Sequence, residues 1–197
     1  MMPSRPSFAG WKRLVAEVVA ETERLLIRPW RDDDRADYLA TCNTETVTAN
    51  LGGPAKIEDI DAAIARIRKS EEENGFCYWA VERKADGAFL GYCGLKFTNL
   101  TDSPVEGEIE IGWRLRDDVW GQGYASEAAA AVLQWAWANL DHDRIVSFTV
   151  PANRGSWGVM ERIGMTRSPD LDFAHPGFPP DHPLSAHITY VIERPKP

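Results

Sequence analysis

Residues 108–125 read EIEIGWRLRDDVWGQGYA. Glu106, Glu108 and Glu110 alternate with Ile109, Ile111 and Trp113, and this two-residue period predicts a strand over Glu106–Leu115 with the acids on one face. A short acidic turn follows, and Gly121-Gln122-Gly123 then opens a long Ala-rich helix predicted over Tyr124–Leu140. Glycines there let the backbone come close to a ligand. The first turn of a helix presents N–H groups without internal partners at the positive end of its dipole, a site suited to an anion such as a pyrophosphate. By itself a G-x-G before a helix also suits a tight strand-to-helix connection. No G-K-[ST] follows, so this is no Walker loop, and Ser126 stands where a dinucleotide fingerprint needs its third glycine.

Upstream, Phe76–Arg83 and Phe89–Phe97 flank Ala85-Asp86-Gly87 and predict a hairpin. Before it, Ile60, Ile64 and Ile67 share one face of a helix over Ile57–Glu73, and Asp32–Asp34 precede a helix over Arg35–Cys42. Thr22–Pro29 reads as the first strand. Residues 1–21 form an N-terminal extension ahead of a single domain over 22–197. In the extension, Trp11, Leu14, Val15, Val18 and Val19 repeat at helical spacing, which suits packing on the domain's own surface or a homodimer contact. Downstream come a strand over Arg144–Val150, a short helix over Asn153–Ile163 stopped by Gly164, and a strand start at Met165–Arg167. A loop over Ser168–Ser185 with five of the 13 prolines precedes a last strand over Ala186–Glu193. The order predicts a mixed α/β (α+β) sheet with helices on both faces.

Composition narrows the function. The 197 residues are 44% apolar and 26% charged, as in a soluble globular protein, and no apolar run reaches the ~20 residues of a membrane helix. Lys12, Arg13 and Glu17 interrupt the apolar residues of the N-terminus, so no signal peptide is expected. Cys42, Cys77 and Cys93 form no C-x-x-C pair, and an odd count is no disulfide framework, which points to a reducing, cytoplasmic setting. The net charge of −8 argues against a nucleic-acid binder and suits a cationic partner such as an amine. His175, His182 and His187 lack metal-ligand spacing, so no metal is expected.

The segment 115–125 resembles the motif V-x-x-x-x-[QR]-x-x-G-x-[GA] of the GCN5-related N-acetyltransferase (GNAT) family, and within it the RimJ/RimL-type branch. Leu115 takes the Val position, Trp120 the Gln/Arg position, Gly123 the Gly and Ala125 the last small residue. Trp120 removes one polar side chain near the phosphates, although W-G-x-G-Y-A is a usual spelling in the branch. Asn153, Ser156, Arg162, Gly164 and Met165 resemble a second family motif, N-x-x-S-x-x-x-x-x-K-x-G-F, with Arg162 and Met165 as departures. Together with TERLLIRPW and the segment ending HITYVIERP, the resemblance covers about residues 22–194.

This resemblance implies the GNAT-type fold, with a mixed, mostly antiparallel sheet of six to seven strands, and an acetyl-CoA-dependent N-acetyltransferase. The amides of Gly121, Gln122, Gly123, Tyr124, Ala125 and Ser126 would surround the coenzyme A pyrophosphate. Pantetheine would pair with the backbone of Trp113 and Leu115 where the sheet splays, and with Asn153, which also suits an N-cap. Ser156 holds the position from which the branch protonates the departing thiolate, or is an ordinary residue of a first helical turn. Glu110 is the first candidate for base or substrate anchor, with an ion pair, for example to Arg114, as the structural alternative. His175, His187, Trp30, Trp79 and the Leu51-Gly52-Gly53 turn would shape the acceptor pocket, although most of the eight tryptophans should be core. Acetyl and succinyl donors, protein α-amines and small-molecule amines all fit. A non-catalytic acyl-CoA-binding module and an unrelated nucleotide binder are the competing readings.

Overall fold

The computed structural model describes residues 17–196. The hairpin expected around Ala85-Asp86-Gly87 forms, with its first strand starting two residues late. Strand β1 spans Ala20–Glu21, β2 Leu25–Arg28, β3 Tyr78–Arg83, β4 Phe89–Phe97 and β5 Ile109–Leu115. Strand β6 spans Arg144–Thr149, β7 Thr166–Arg167, β8 Phe173–Ala174 and β9 Ala186–Glu193. Helix α1 spans Asp34–Thr41, α2 Glu45–Thr48, α3 Ile57–Asn74, α4 Tyr124–Asn139 and α5 Arg154–Arg162. The sheet runs β1-β2-β3-β4-β5-β6-β9-β7, with β8 paired to β9. Six of the described strands have four or more residues, and the two-residue strands β1, β7 and β8 extend that frame. All described pairings are antiparallel except β5 with β6.

Alternation then sorts the side chains onto two faces. Ile109, Ile111 and Leu115 of β5 join Leu25, Ile27, Trp79 and Val81 in a core closed by Ala128, Ala129, Val132 and Ala136 of α4. The small alanines bring the helix axis close to the sheet. The opposite face carries Ala80 and Phe89, covered by Trp30, by Tyr38 and Cys42 of and beside α1, and by Ile60 and Ile64 of α3. A buried ion cluster seats α1 on that face. Arg28 of β2 bonds Asp34 at 2.7 and 2.8 Å and Glu82 of β3 at 2.7 Å, and all three are buried.

Three expectations change. The helix expected through Trp11, Leu14 and Val15 lies outside the described residues, while Val18 and Val19 lead directly into β1, with the Val19 N–H donating to Ile27 O at 2.7 Å. Glu106 does not share the face of Glu108 and Glu110, because β5 begins at Ile109 and Glu106 sits in the preceding turn, accepting from the Asp102 N–H. The Pro-rich loop is not wholly irregular, since Phe173 and Ala174 fold back as β8 against His187 and Ala186 of β9.

Candidate active site

The site starts from a failure of pairing. Glu110 to Val146 is the registered pair between β5 and β6. Beyond it β5 continues to Leu115 along β4, while β6 continues along β9, so the two strands diverge. The Arg116 N–H donates to Leu90 O of β4. By the two-residue alternation, Trp113 and Leu115 therefore turn their peptide groups to the side that β6 has left. Leu115 O bears this out by accepting at 2.9 Å from the indole N–H of Trp120, which comes from that side. A cleft of about 1080 Å³ opens there, lined by Glu110, Trp113, Leu115, Gly121, Gly123–Ser126, Asn153, Ser156, His175 and His187 among others.

At one end of the cleft lies the start of α4. Gly121 and Gly123 have φ of 74° and 82°, values that a side chain would strain. The Glu127 N–H to Gly123 O bond, 3.0 Å, is the first of the helix. The amides of Tyr124, Ala125 and Ser126 therefore lack intrahelical acceptors, and no side chain caps them. Two arginines that the sequence did not single out as ligands converge here. Arg24 donates to Gln122 O and lies 4.3 Å from the Tyr124 ring centroid, and Arg162 donates to Ser126 Oγ at 3.0 Å. Glu127 would oppose an anion. Burial favours its neutral form, but bonds from Thr22 and Arg24 outweigh burial and hold its pKa below the usual carboxylate range, with the charge turned toward Arg24. The end of the cleft can thus take a polyanion.

In the middle, Asn153 accepts from the Ser156 N–H at 3.3 Å and donates to Thr149 Oγ1 at 3.0 Å, which makes it the N-cap of α5. Ser156 follows in the first turn and is partly exposed to the cleft. Trp120, 52% exposed, covers the edge carbonyl of Leu115, so the residue in the Gln/Arg position of the motif keeps one polar contact through its indole N–H.

At the other end Glu110 is buried, and its partners differ from the expected one. Arg114 does not pair with it. Its Oε1 accepts from Tyr78 Oη at 3.3 Å, and Lys96 Nζ lies 3.0 Å from Oε2. The ammonium is close enough for an ion pair but is not aligned as a hydrogen bond, so the Oε2 lone pairs remain unsatisfied. Burial disfavours the Lys96 ammonium, yet Glu110 outweighs it and raises the pKa. Burial raises the Tyr78 hydroxyl well above its ordinary value, and Glu110 adds to this, so Tyr78 stays a donor. Its ring crosses β5 where Gly112 leaves room, since a Cβ there would lie 2.8 Å from the hydroxyl.

The histidines complete this end. His175 and His187 lie with ring centroids 5.0 Å apart, among Phe148, Phe173 and Phe178. Ser185 O can only accept, so the His187 Nδ1 at 3.1 Å carries the proton and Nε2 a lone pair. Leu51 lines the cleft, and Gly52 faces the Phe178 ring. Trp79 is 1% exposed in the core beneath α4, bonded to Glu71, and does not line the cleft because its place on β3 points it to the other face. Trp30 lines a neighbouring cavity, with its indole N–H on Tyr78 O at 2.7 Å.

Burial lowers the pKa of both imidazoles, most directly that of His187, against smaller opposite pulls from Ser185 O and Glu110. The fold therefore prefers them neutral. Their contribution to stability is complete above the unfolded value near 6.5 and is lost as pH falls below it. The melting temperature should fall more steeply from pH 7 to pH 5 in the wild type than in a His175→Gln/His187→Gln double variant; parallel slopes would refute this.

The acetyltransferase (GNAT) domain model matches residues 24–166. The N-acetyltransferase YnaD of Bacillus subtilis is 31% identical over 147 residues, covering 74% of this chain and 81% of the relative. A GNAT-family acetyltransferase structure from Bacillus anthracis superposes with a TM-score of 0.71 at 24% identity, covering 89% and 98% of the two chains. RimJ of Mycobacterium smegmatis, solved with CoA-disulfide, gives 0.67 at 17% identity over 86% and 81%. No helix among the described residues is long and apolar enough to cross a membrane, and no described group of His, Cys, Asp and Glu could hold a metal.

Proposed function

The chain belongs to the GNAT acetyltransferase family, and from that premise we propose that it carries an acetyl group from acetyl-coenzyme A to a primary amine by direct attack in a ternary complex. GNAT acetyltransferases use acetyl-CoA, and one structural neighbour was solved with a CoA species. The observation that carries the reading is the continuity of the cleft. It runs from the free amides of Tyr124–Ser126, past the edge of Trp113 and Leu115 that no strand pairs with, to Glu110. A diphosphate at the first, an extended pantetheine arm along the second and a thioester near the third fit one molecule of coenzyme A.

In this reading a neutral amine attacks the thioester carbonyl. The N–C bond forms, the C–S bond breaks, Glu110 takes the amine's proton directly or through water, and the thiolate leaves with a proton from Ser156 that solvent water replaces. Tyr78 and Lys96 hold the carboxylate in place. A covalent acyl-cysteine is disfavoured, since Cys42, Cys77 and Cys93 are buried and burial raises all three thiols, Cys42 to about 11. Acetyl-CoA should raise the melting temperature, by the equivalent of about 2.7 kcal/mol at a hundredfold excess over its Kd, while ATP does not. Equal stabilisation by both would point to a nucleotide binder. Thiol release across a panel of amines then separates an enzyme from a binding module.

A further inference from the structure

Two arginines in this chain, Arg28 buried and Arg114 half-buried, are treated differently. Arg28 is met by the carboxylates of Asp34 and Glu82. Arg114 of β5 bonds only the Tyr38 hydroxyl and lies 5.9 and 5.7 Å from the ring centroids of Tyr38 and Tyr92, while its Nε is buried with no hydrogen-bond partner. The groups that act most on it are the phenols of Tyr38 and Tyr92 and the thiol of Cys42, and burial of Tyr38 holds that hydroxyl neutral. A guanidinium partly withdrawn from water with no carboxylate bonded to it is a ready partner for an anion. Arg114 is also placed for a ligand. It lines the cleft and, with Tyr78, Tyr92 and Lys96, also lines a second cavity of about 750 Å³ beneath α3. It shares a face of β5 with Glu110, four residues and on the order of 13 Å of strand away.

We propose that Arg114 is the anchor for a carboxylate on the acceptor, so that the acceptor is an amine bearing a carboxylate at its far end, such as an ω-amino acid or a short peptide. The inference rests on the transfer reaction proposed above and names its substrate class. Arg114 binds the carboxylate through Nη2, the nitrogen of the fork that no described residue occupies, beside the Nη1 that bonds Tyr38. The amine end then lies toward Glu110, and the aromatic rings of Tyr38, Tyr78 and Tyr92 line the stem. The same carboxylate chemistry could instead come from the donor, as in a succinyl thioester, and the test separates the two.

The test is a ladder of ω-amino acids, from glycine to 6-aminohexanoate with short dipeptides, each beside its amide, assayed by thiol release from acetyl-CoA. The carboxylate member at the best length should show a KM about 10–100-fold below its amide. Arg114→Gln should collapse that ratio toward one, and Arg114→Lys should restore part of it. Heat-stabilisation of the wild type, with coenzyme A bound, by each acid and its amide provides a readout that survives if Arg114→Gln misfolds. Thiol release without preference for any acid overturns the inference and leaves the transfer reaction standing. Silence with every amine removes the transfer reaction instead; a stabilisation that distinguishes acid from amide would still uphold the anchor, and its absence would end it. A preference for succinyl-CoA over acetyl-CoA with neutral amines, lost in Arg114→Gln, would place the carboxylate on the donor and overturn the acceptor assignment.

Discussion

Glu110→Gln is expected to lower kcat/KM by about 10²–10⁴-fold, the usual contribution of a positioned general base, with acetyl-CoA binding retained. The substitution keeps the shape and the bond from Tyr78 but removes the site's acceptor for a proton. The charge change also frees Lys96 from its ion pair and leaves burial to disfavour its ammonium, so its pKa should fall below that of an exposed lysine. The deciding measurement combines thiol release with the melting shift given by acetyl-CoA. A variant that binds the thioester as before and turns over at a wild-type rate would dismiss Glu110 as base and move attention to His187, whose Nε2 lone pair is available on the same side of the sheet. The alkaline amine makes a further check. A lysine-like amine, with pKa near 10.4, is almost wholly protonated at neutral pH, so the loss should be larger at pH 7 than at pH 9.5.

Arg28→Met should destabilise the fold by about 3–5 kcal/mol, because it leaves Asp34 and Glu82 buried without their cation. For a chain of this length that corresponds to a melting temperature lower by roughly 6–20 °C. Arg31 can still reach Glu82 at 2.7 Å, but it is 61% exposed and does not reach into the cluster as Arg28 does. Pairing Arg28→Met with Asp34→Leu and Glu82→Met should recover much of the loss, since replacing a whole buried ion cluster is far milder than removing one member. If Arg28→Met alone melts within a degree or two of the wild type, the cluster is not what holds α1 on the sheet. Activity should fall with stability as well, because α1 carries the Tyr38 that steadies Arg114.

Much of the frame was legible in residue order. The hairpin signal at Ala85-Asp86-Gly87 and the strand read over Ala186–Glu193 placed β4 and β9 at their observed ends, and Ala-rich propensity placed α4. Glu108 and Glu110 were legible as acids on one face, because side-chain direction along an extended chain is local. Their partners were not. Tyr78 is 32 residues from Glu110 and meets it only because β3 and β5 flank β4 and Gly112 leaves the space. For the same reason Arg114 looked like a counter-ion for Glu110, although four residues along a strand keep the two apart. Trp79 looked like a pocket wall beside Trp30, and a single step of alternation sent it to the opposite core.

Residue order alone settled the periods, the turns and the glycine-opened helix, and with them the family, because those depend on neighbours within a few positions. Tertiary structure decided where β5 and β6 part, which phenol and which ammonium reach Glu110, and that Arg28 has carboxylates while Arg114 has none. Those are contacts between residues tens of positions apart, and electrostatics in a dry interior is governed by distance through space, which no local pattern encodes.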